Sequence, residues 1–259
     1  MKLATWNINS VRAREARLVQ WLEKHRVDIL CLQEIKTPTE LFPYELIQAA
    51  GYHCCVHGQR TYNGVAILSR QEPSNVACGL TDDTADPQAR LIAADIGGVR
   101  VLSAYFPNGK TVGTPEFAYK LAWMERLRLH LERTADPAKP LILAGDFNVA
   151  PEASDVAEPA RWADSVLCVD AVRVALNRIR DWGLVDVFHE HHPGGGIYSW
   201  WDYRMLAFPK NLGLRIDHVF ATQALARRST HAAVDREERK KGTVEKPSDH
   251  APVIVEFDV

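Results

Sequence analysis

Cysteine is sparse in this chain, and its placement argues against a covalent framework. Five residues, Cys31, Cys54, Cys55, Cys78 and Cys168, give an odd count with one adjacent pair and no CxxC spacing. Neither a disulfide scaffold nor a zinc site fits that usage, and a reducing cytosol does. Long apolar runs are missing too. Nothing approaches the ~20 residues that a membrane-spanning helix needs, and the opening MKLATWNINSVRARE has no signal-peptide character. Net charge is close to absent, with 31 Lys and Arg against 33 Asp and Glu. No global basic field draws the chain to a polyanion, so any such binding has to be local. No GxxxxGK[ST] loop or GxSxG elbow occurs, which removes the P-loop and serine-hydrolase signatures. No Pro/Gly/Ser linker divides the chain. A soluble cytoplasmic monomer with one domain over residues 1–259 is expected.

The 46% hydrophobic content is enough for a substantial core. Apolar runs predict strands over Lys2 to Ile8, Asp28 to Leu32, His53 to Val56, Gly64 to Ser69, Leu91 to Asp95, Val99 to Tyr105, Ile216 to Ala221 and Ala251 to Phe257. Gly97-Gly98 marks a hairpin. Helical spacing covers Arg12 to Arg26, Pro115 to Arg133 and Val172 to Trp182, and a further helix runs from Pro43 to Gly51. Residues 151–170 are ambiguous. Hairpins and crossovers together indicate an α/β protein with mixed sheets. ATWNIN and LAGDFN form a faint internal echo, as of two sheets packed face to face with their strand ends at one rim.

Polar residues cluster at those strand ends. In PLILAGDFNVAP, the run Leu141 to Ala144 reads as a buried strand. Alternation along an extended chain puts Asp146 and Asn148 on one face and turns Phe147 inward. Asn7 and Glu34 end the first two strands. Asp217 follows Leu214 and Ile216, and Asp249-His250 precede APVIVEF. Each alone is an ordinary turn residue; their shared habit suggests one site beyond the strand ends. Three Asp, one Glu, two Asn and one His, without Cys, select a hard cation, Mg²⁺ or Mn²⁺. A cation, a water-activating carboxylate and a phosphate-facing His suit phosphodiester hydrolysis.

TWNIN, LQE, YNGVAILSR, YFPNG, GDFN, SWWDYR, GLRID and PSDHAP occur here in that order. Over nearly the whole chain this resembles the exonuclease III/apurinic endonuclease family of DNA-repair enzymes, in its bacterial exonuclease III branch, within the DNase I-like superfamily. The resemblance implies a four-layered α/β sandwich with two central mixed sheets and one site at the rim. It implies Glu34 as main metal ligand, with Asn7, Asp249, Asp146 and Asn148 in the metal's surroundings. Asp146 would orient or deprotonate the attacking water and Asn148 would help hold it. His250 would contact the scissile phosphate, held by Asp217, and Tyr105 would offer its phenol to the phosphate or leaving oxygen. The substrate would be duplex DNA with abasic sites or blocked 3′ ends.

The resemblance also places Trp200, Leu214 and Ile216 in a small apolar pocket for a flipped-out, base-less sugar. Arg60, Tyr62 and Asn63 offer a DNA-contacting loop, and Arg204 a wedge into the duplex; Trp201 reads as core by alternation against Trp200. Arg236 to Lys241 reads as a solvated loop, and the trio His189, His191 and His192 as solvated histidines. Leu167, in the ambiguous segment, is expected to narrow the pocket and favour blocked 3′ ends over internal abasic sites. Two other readings stay open: a phosphatase of the same superfamily acting on small phosphates or lipids, and a nucleic-acid-binding regulator without catalysis.

Overall fold

A computed structural model of the chain describes residues 1–259 apart from Asp83 and Thr243. Among the described residues, twelve strands form two six-stranded sheets. In the first sheet the order is β11 (Ser229–Val234), β12 (Val253–Phe257), β1 (Lys2–Asn7), β2 (Ile29–Gln33), β4 (Val65–Ser69) and β3 (His53–His57). In the second it is β5 (Ser74–Cys78), β6 (Leu91–Ile96), β7 (Val99–Tyr105), β8 (Leu141–Asp146), β10 (Asp217–Thr222) and β9 (Leu184–Asp186).

The sheets repeat one plan. β1 runs parallel to β2 and antiparallel to β12; β8 runs parallel to β7 and antiparallel to β10. The echo between ATWNIN and LAGDFN is therefore topological, and it brings the carboxyl ends of β1, β2, β7 and β8 to one rim.

Alternation along the central strands sorts side chains into layers. Leu141 and Leu143 face the helices α3 (Pro115–Thr134) and α5 (Asp170–Arg180), whereas Ile142 and Ala144 face the first sheet. Ala4 and Trp6 turn to the opposite side, under α1 (Glu15–His25) and α2 (Tyr44–Ala49). The result is helix, sheet, sheet, helix, with strands buried on both faces, the four-layered α/β sandwich that was expected. Between the sheets Thr5 donates to Gln33 (3.2 Å), and Gln33 donates to Ser103 (3.1 Å). This buried polar link ties β1, β2 and β7 together one or two residues below the rim.

Boundaries differ where the backbone turns left-handed. Asn9 and Ser10 have φ of 48° and 84°, so α1 starts at Glu15 rather than Arg12, and Arg26, at φ 48°, ends it. β5, β9 and β11 escape periodicity because they are short or half-exposed edge strands. The 151–170 segment holds one short 3₁₀ turn and the four-residue helix α4 (Pro159–Trp162).

The run Arg236 to Lys241 is not simply solvated. Arg236 lies over the Phe208 ring at 4.2 Å and Arg239 over Tyr203 at 4.8 Å, with Arg239 buried. These cation–π contacts anchor the turn that follows Trp201. Trp201 is core, 1% exposed. His191 meets the Ser229 hydroxyl and His192 the Ala232 carbonyl, which gives both structural partners in β11. No helix among the described residues is long and apolar enough to cross a membrane.

Candidate active site

The rim of strand ends frames a cavity of about 470 Å³. Its floor is polar: Glu34, Tyr105, Asp146, Asn148, Asp249 and His250 all reach it. Trp162, Val166, Leu167, Trp200 and Ile216 form an apolar flank.

β1 ends in Asn7, whose amide nitrogen donates both to Glu34 Oε1 and to Asp146 Oδ2, each at 2.9 Å. One amide thus joins a carboxylate of each sheet. Glu34 lies just past β2 at φ 50°, and its other oxygen pairs with Lys36 Nζ at 2.7 Å. Burial alone would raise the Glu34 carboxyl. Lys36, Asn7 and His250 outweigh burial and hold it below its ordinary value. Asp146 has no lysine at its side, only the His250 imidazole. Burial raises it to about 7, with His250 pulling down and Asp217 pushing up.

Asp217 opens β10 directly opposite Asp146 in the ladder. Its carboxylate meets His250 Nδ1 at 2.9 Å and accepts from the Ser199 hydroxyl at 2.6 Å. Burial lowers the imidazole's proton affinity, but Asp217 and then Asp146 reverse this and lift it to about 10. His250 is therefore cationic near neutrality. With Nδ1 held by Asp217, its Nε2 sits 3.8 Å from Asp146 Oδ2. Asp249 accepts from the Trp200 indole (3.0 Å) and from Asn9 Nδ2 (2.9 Å). Burial opposes its ionisation, and His250 with these two donors keeps it below the usual range. Burial, Glu34 and Asp146 push the Tyr105 phenol well above its ordinary value, so it stays protonated under the Arg90 guanidinium, 4.9 Å from the ring centre.

Asn148 reaches the cavity by another route than strand alternation. β8 ends at Asp146, and Asn148 has φ 50°. Its backbone N–H donates to Asp146 Oδ1 at 2.9 Å, an Asx turn that folds the chain back. Its amide nitrogen donates to the Phe106 carbonyl, and its oxygen accepts from Asn108. Phe147 does turn inward, stacked on Phe106 at 4.3 Å.

Not every proposed pocket residue lines the cavity. Trp200 and Ile216 do; Leu214 is fully buried behind them and pairs with Trp200 through its backbone. Leu167 does. In the loop after β3, Arg60 and Tyr62 are exposed, but the Asn63 amide turns inward to Gln59 and Gln88. Arg204 is exposed on the turn after Trp201.

The sequence reading missed Asn9, Lys36, Ser199, Trp162 and Lys120. Asn9 and Lys36 each stand two residues past a named site residue, a spacing that could have flagged them. Lys36 donates to Asn9 at 2.7 Å, which links Glu34 to Asp249. Trp162 stands edge-on to Trp200, 5.8 Å between ring centres. Burial pulls Lys120 down to about 7, against Asp146.

The carboxylates of Glu34 and Asp146, hard oxygen donors with no sulfur beside them, suit a hard divalent cation, while Asn7 turns its amide nitrogen to both and its oxygen accepts from the Asn9 N–H. Among the described residues, Asp146, Asp217 and His250 are the group whose ligand atoms lie within 4.8 Å of one another. Asp217 and His250 are engaged with each other, which leaves the Asp146 and Glu34 side as the place for a metal.

Two mixed sheets with helices outside, and a carboxylate–imidazole cluster at their common rim, make up the DNase I-like α/β fold. The Endonuclease/Exonuclease/phosphatase family matches residues 4–250, and the chain belongs to that family. It is 37% identical over 269 residues to "Exodeoxyribonuclease III" of Haemophilus influenzae, covering 99% of this chain and 100% of that one. An AP endonuclease from Archaeoglobus fulgidus superposes with a TM-score of 0.96 at 39% identity, covering all of both chains. A 3′ phosphatase from Neisseria, bound to product DNA hairpin, superposes at 0.95 and 41%, again over all of both chains. The protein is a nuclease, and so a hydrolase.

Proposed function

We propose that the chain is a divalent-metal-dependent phosphodiesterase acting on duplex DNA in the cytoplasm as a monomer. Its reactions are drawn from three: incision 5′ to abasic sites, removal of 3′-blocking groups, and 3′–5′ exonuclease trimming. One observation carries the reading. A single amide, Asn7, joins Glu34 to Asp146 beside the His250–Asp217 pair, on the floor of a cavity with an apolar flank.

Each residue has work its surroundings suit. Asp146, raised to about 7, is matched to accept a proton from water near neutral pH. Asn148 helps place that water. His250 is charged and held in orientation by Asp217; it meets a non-bridging phosphate oxygen and offsets charge as the water adds. The protonated Tyr105 phenol donates to the phosphate or the departing oxygen. Glu34, kept ionised, is the principal ligand, with Asn7, Asp146 and Asp249 around it. Mg²⁺ or Mn²⁺ bound there supplies Lewis-acid stabilisation of the anionic phosphoryl group. Trp200 and Ile216 give a base-less sugar an apolar seat that a normal nucleotide reaches only after unstacking.

The test uses two duplex oligonucleotides, one with an internal abasic analogue and one with a 3′-phosphate, each with Mg²⁺ and then EDTA. Metal-dependent nicking 5′ to the lesion or metal-dependent phosphate release is expected. Folded protein with no product from either, or turnover of inositol phosphates alone, contradicts the reading. Trp162, Val166 and Leu167 crowding the flank favour a second version, a 3′-end specialist with weak abasic incision. Product from the 3′-phosphate duplex alone would select it.

A further inference from the structure

Lys120 lies on α3, is fully buried, and makes no ion pair among the described residues. An ammonium has three hydrogens and no acceptor, and here all three have carbonyl partners: Asn148 O at 2.6 Å, Val166 O at 2.7 Å and Asn108 O at 3.2 Å. These carbonyls belong to three separate segments: the turn after β7, the turn after β8, and the irregular stretch before α5. All three segments line the cavity on one side, through Asn108, Asn148 and Val166 themselves. The first two segments are joined a second time, because Asn108 Nδ2 donates to Asn148 Oδ1 at 3.0 Å. The third, which carries Val166 and Leu167, is tied to the catalytic turn by Lys120 at Val166 O and by the Ala150 N–H at Leu167 O (2.8 Å). Space around the stem is tight as well: a Cβ on Gly109 would sit 3.0 Å from Lys120 Cδ.

The geometry points to Lys120 as a positioning residue that sets the gap between the catalytic turn at Asn148 and the apolar wall at Val166 and Leu167, and so decides which terminal or base-less group the site accepts. This rests on the nuclease reading above. A buried amino group whose partners are all carbonyls is costly to strip of any one of them. The three segments therefore move together or not at all. Without the ammonium, the wall keeps only the bond from Ala150 N–H to Leu167 O at 2.8 Å, and Val166 loses its tie to Asn148 and can shift away from it. The bulkier occupant, an abasic sugar, gains relative to a compact 3′-phosphate. Displacements near 1 Å at a reacting centre cost on the order of a hundredfold in rate, so a change in this one contact is large enough to reorder substrates.

The test compares wild type with Lys120→Met, which keeps stem length and loses the donors, and with Lys120→Gln, which keeps a donor. Leu127→Ala, in the core face of the same helix and away from the cavity, serves as a control for lost stability alone. Abasic incision and 3′-phosphate release are measured for each, at a temperature where circular dichroism shows the variants folded. Lys120→Met is expected to move the ratio toward abasic incision by roughly tenfold or more, Lys120→Gln by less, and Leu127→Ala to leave it unchanged. If Lys120→Met does not fold, the shift in Lys120→Gln alone decides. A ratio that stays put while both rates fall together, as in the control, overturns the role. Wild-type protein without turnover on either duplex overturns the nuclease reading, and this one with it; wild-type turnover with an unmoved ratio overturns only the role of Lys120.

Discussion

Glu34 and Asp146 share one hydrogen-bond donor, Asn7 Nδ2, and burial pushes both carboxyls up, yet they end on opposite sides of their ordinary values. Lys36 compensates Glu34 and holds it ionised; Asp146, with only the shared imidazolium, is lifted to about 7. A pair of carboxylates driven apart in this way is the pattern of divided labour, one binding charge and one moving a proton. Away from the site, His130 shows the same physics as a stability effect. Its Nδ1 accepts from the Thr81 backbone N–H at 3.2 Å. Burial, then Arg133 and Arg100, lower it to about 4. An unfolded histidine titrates near ~6.5. As pH falls from there toward about 4, the unfolded chain takes up the proton and the folded one does not. The contribution is whole above that window and drains as pH falls through it. His130→Asn, which keeps an acceptor without titrating, is expected to flatten the slope of unfolding free energy between those limits. Identical slopes in urea titrations at stepped pH would contradict the assignment.

At the scale of elements, Gly145 shows how tightly β7 and β8 are joined. It pairs with Ala104 in the parallel ladder, and a Cβ there would lie 1.8 Å from the Ala104 carbonyl oxygen. No rotamer relieves a clash between backbone and Cβ. Gly145→Ala is expected to cost about 3 kcal/mol or more, read by urea denaturation, and to pull Asp146 out of line. A loss within about 0.5 kcal/mol would refute the close approach. The central strands, the Gly97-Gly98 hairpin and the long helix α3 were legible because their apolar patterns are long. The edge strands β5, β9 and β11 were not, since short half-exposed strands carry little periodicity. Alternation gave the right answer for Phe147 and the wrong reason for Asn148, which an Asx turn delivers. Lys120 was illegible: in sequence it is a lysine on a helix, and its partners lie 12, 28 and 46 residues away.

The whole molecule carries a formal charge of only −2, so any affinity for a polyanion has to come from where charge is placed. The repeat of one strand plan in two facing sheets puts Asn7 and Glu34 from one half against Tyr105, Asp146 and Asp217 from the other. His250 joins them from the approach to β12. Neither half holds a site alone. This explains why scattered motifs, each a weak signal, converge only in the fold. Asp146 stands where the halves meet, and the proposed chemistry centres on it. The direct measurement is therefore single-turnover cleavage of a lesion-bearing duplex by wild type and by Asp146→Asn, with duplex binding and thermal unfolding followed on the same samples. Retained fold and binding, with turnover reduced by roughly 10²–10⁴-fold as for loss of a positioned base, is the predicted result. Cleavage by Asp146→Asn at near the wild-type rate would contradict the account at its centre.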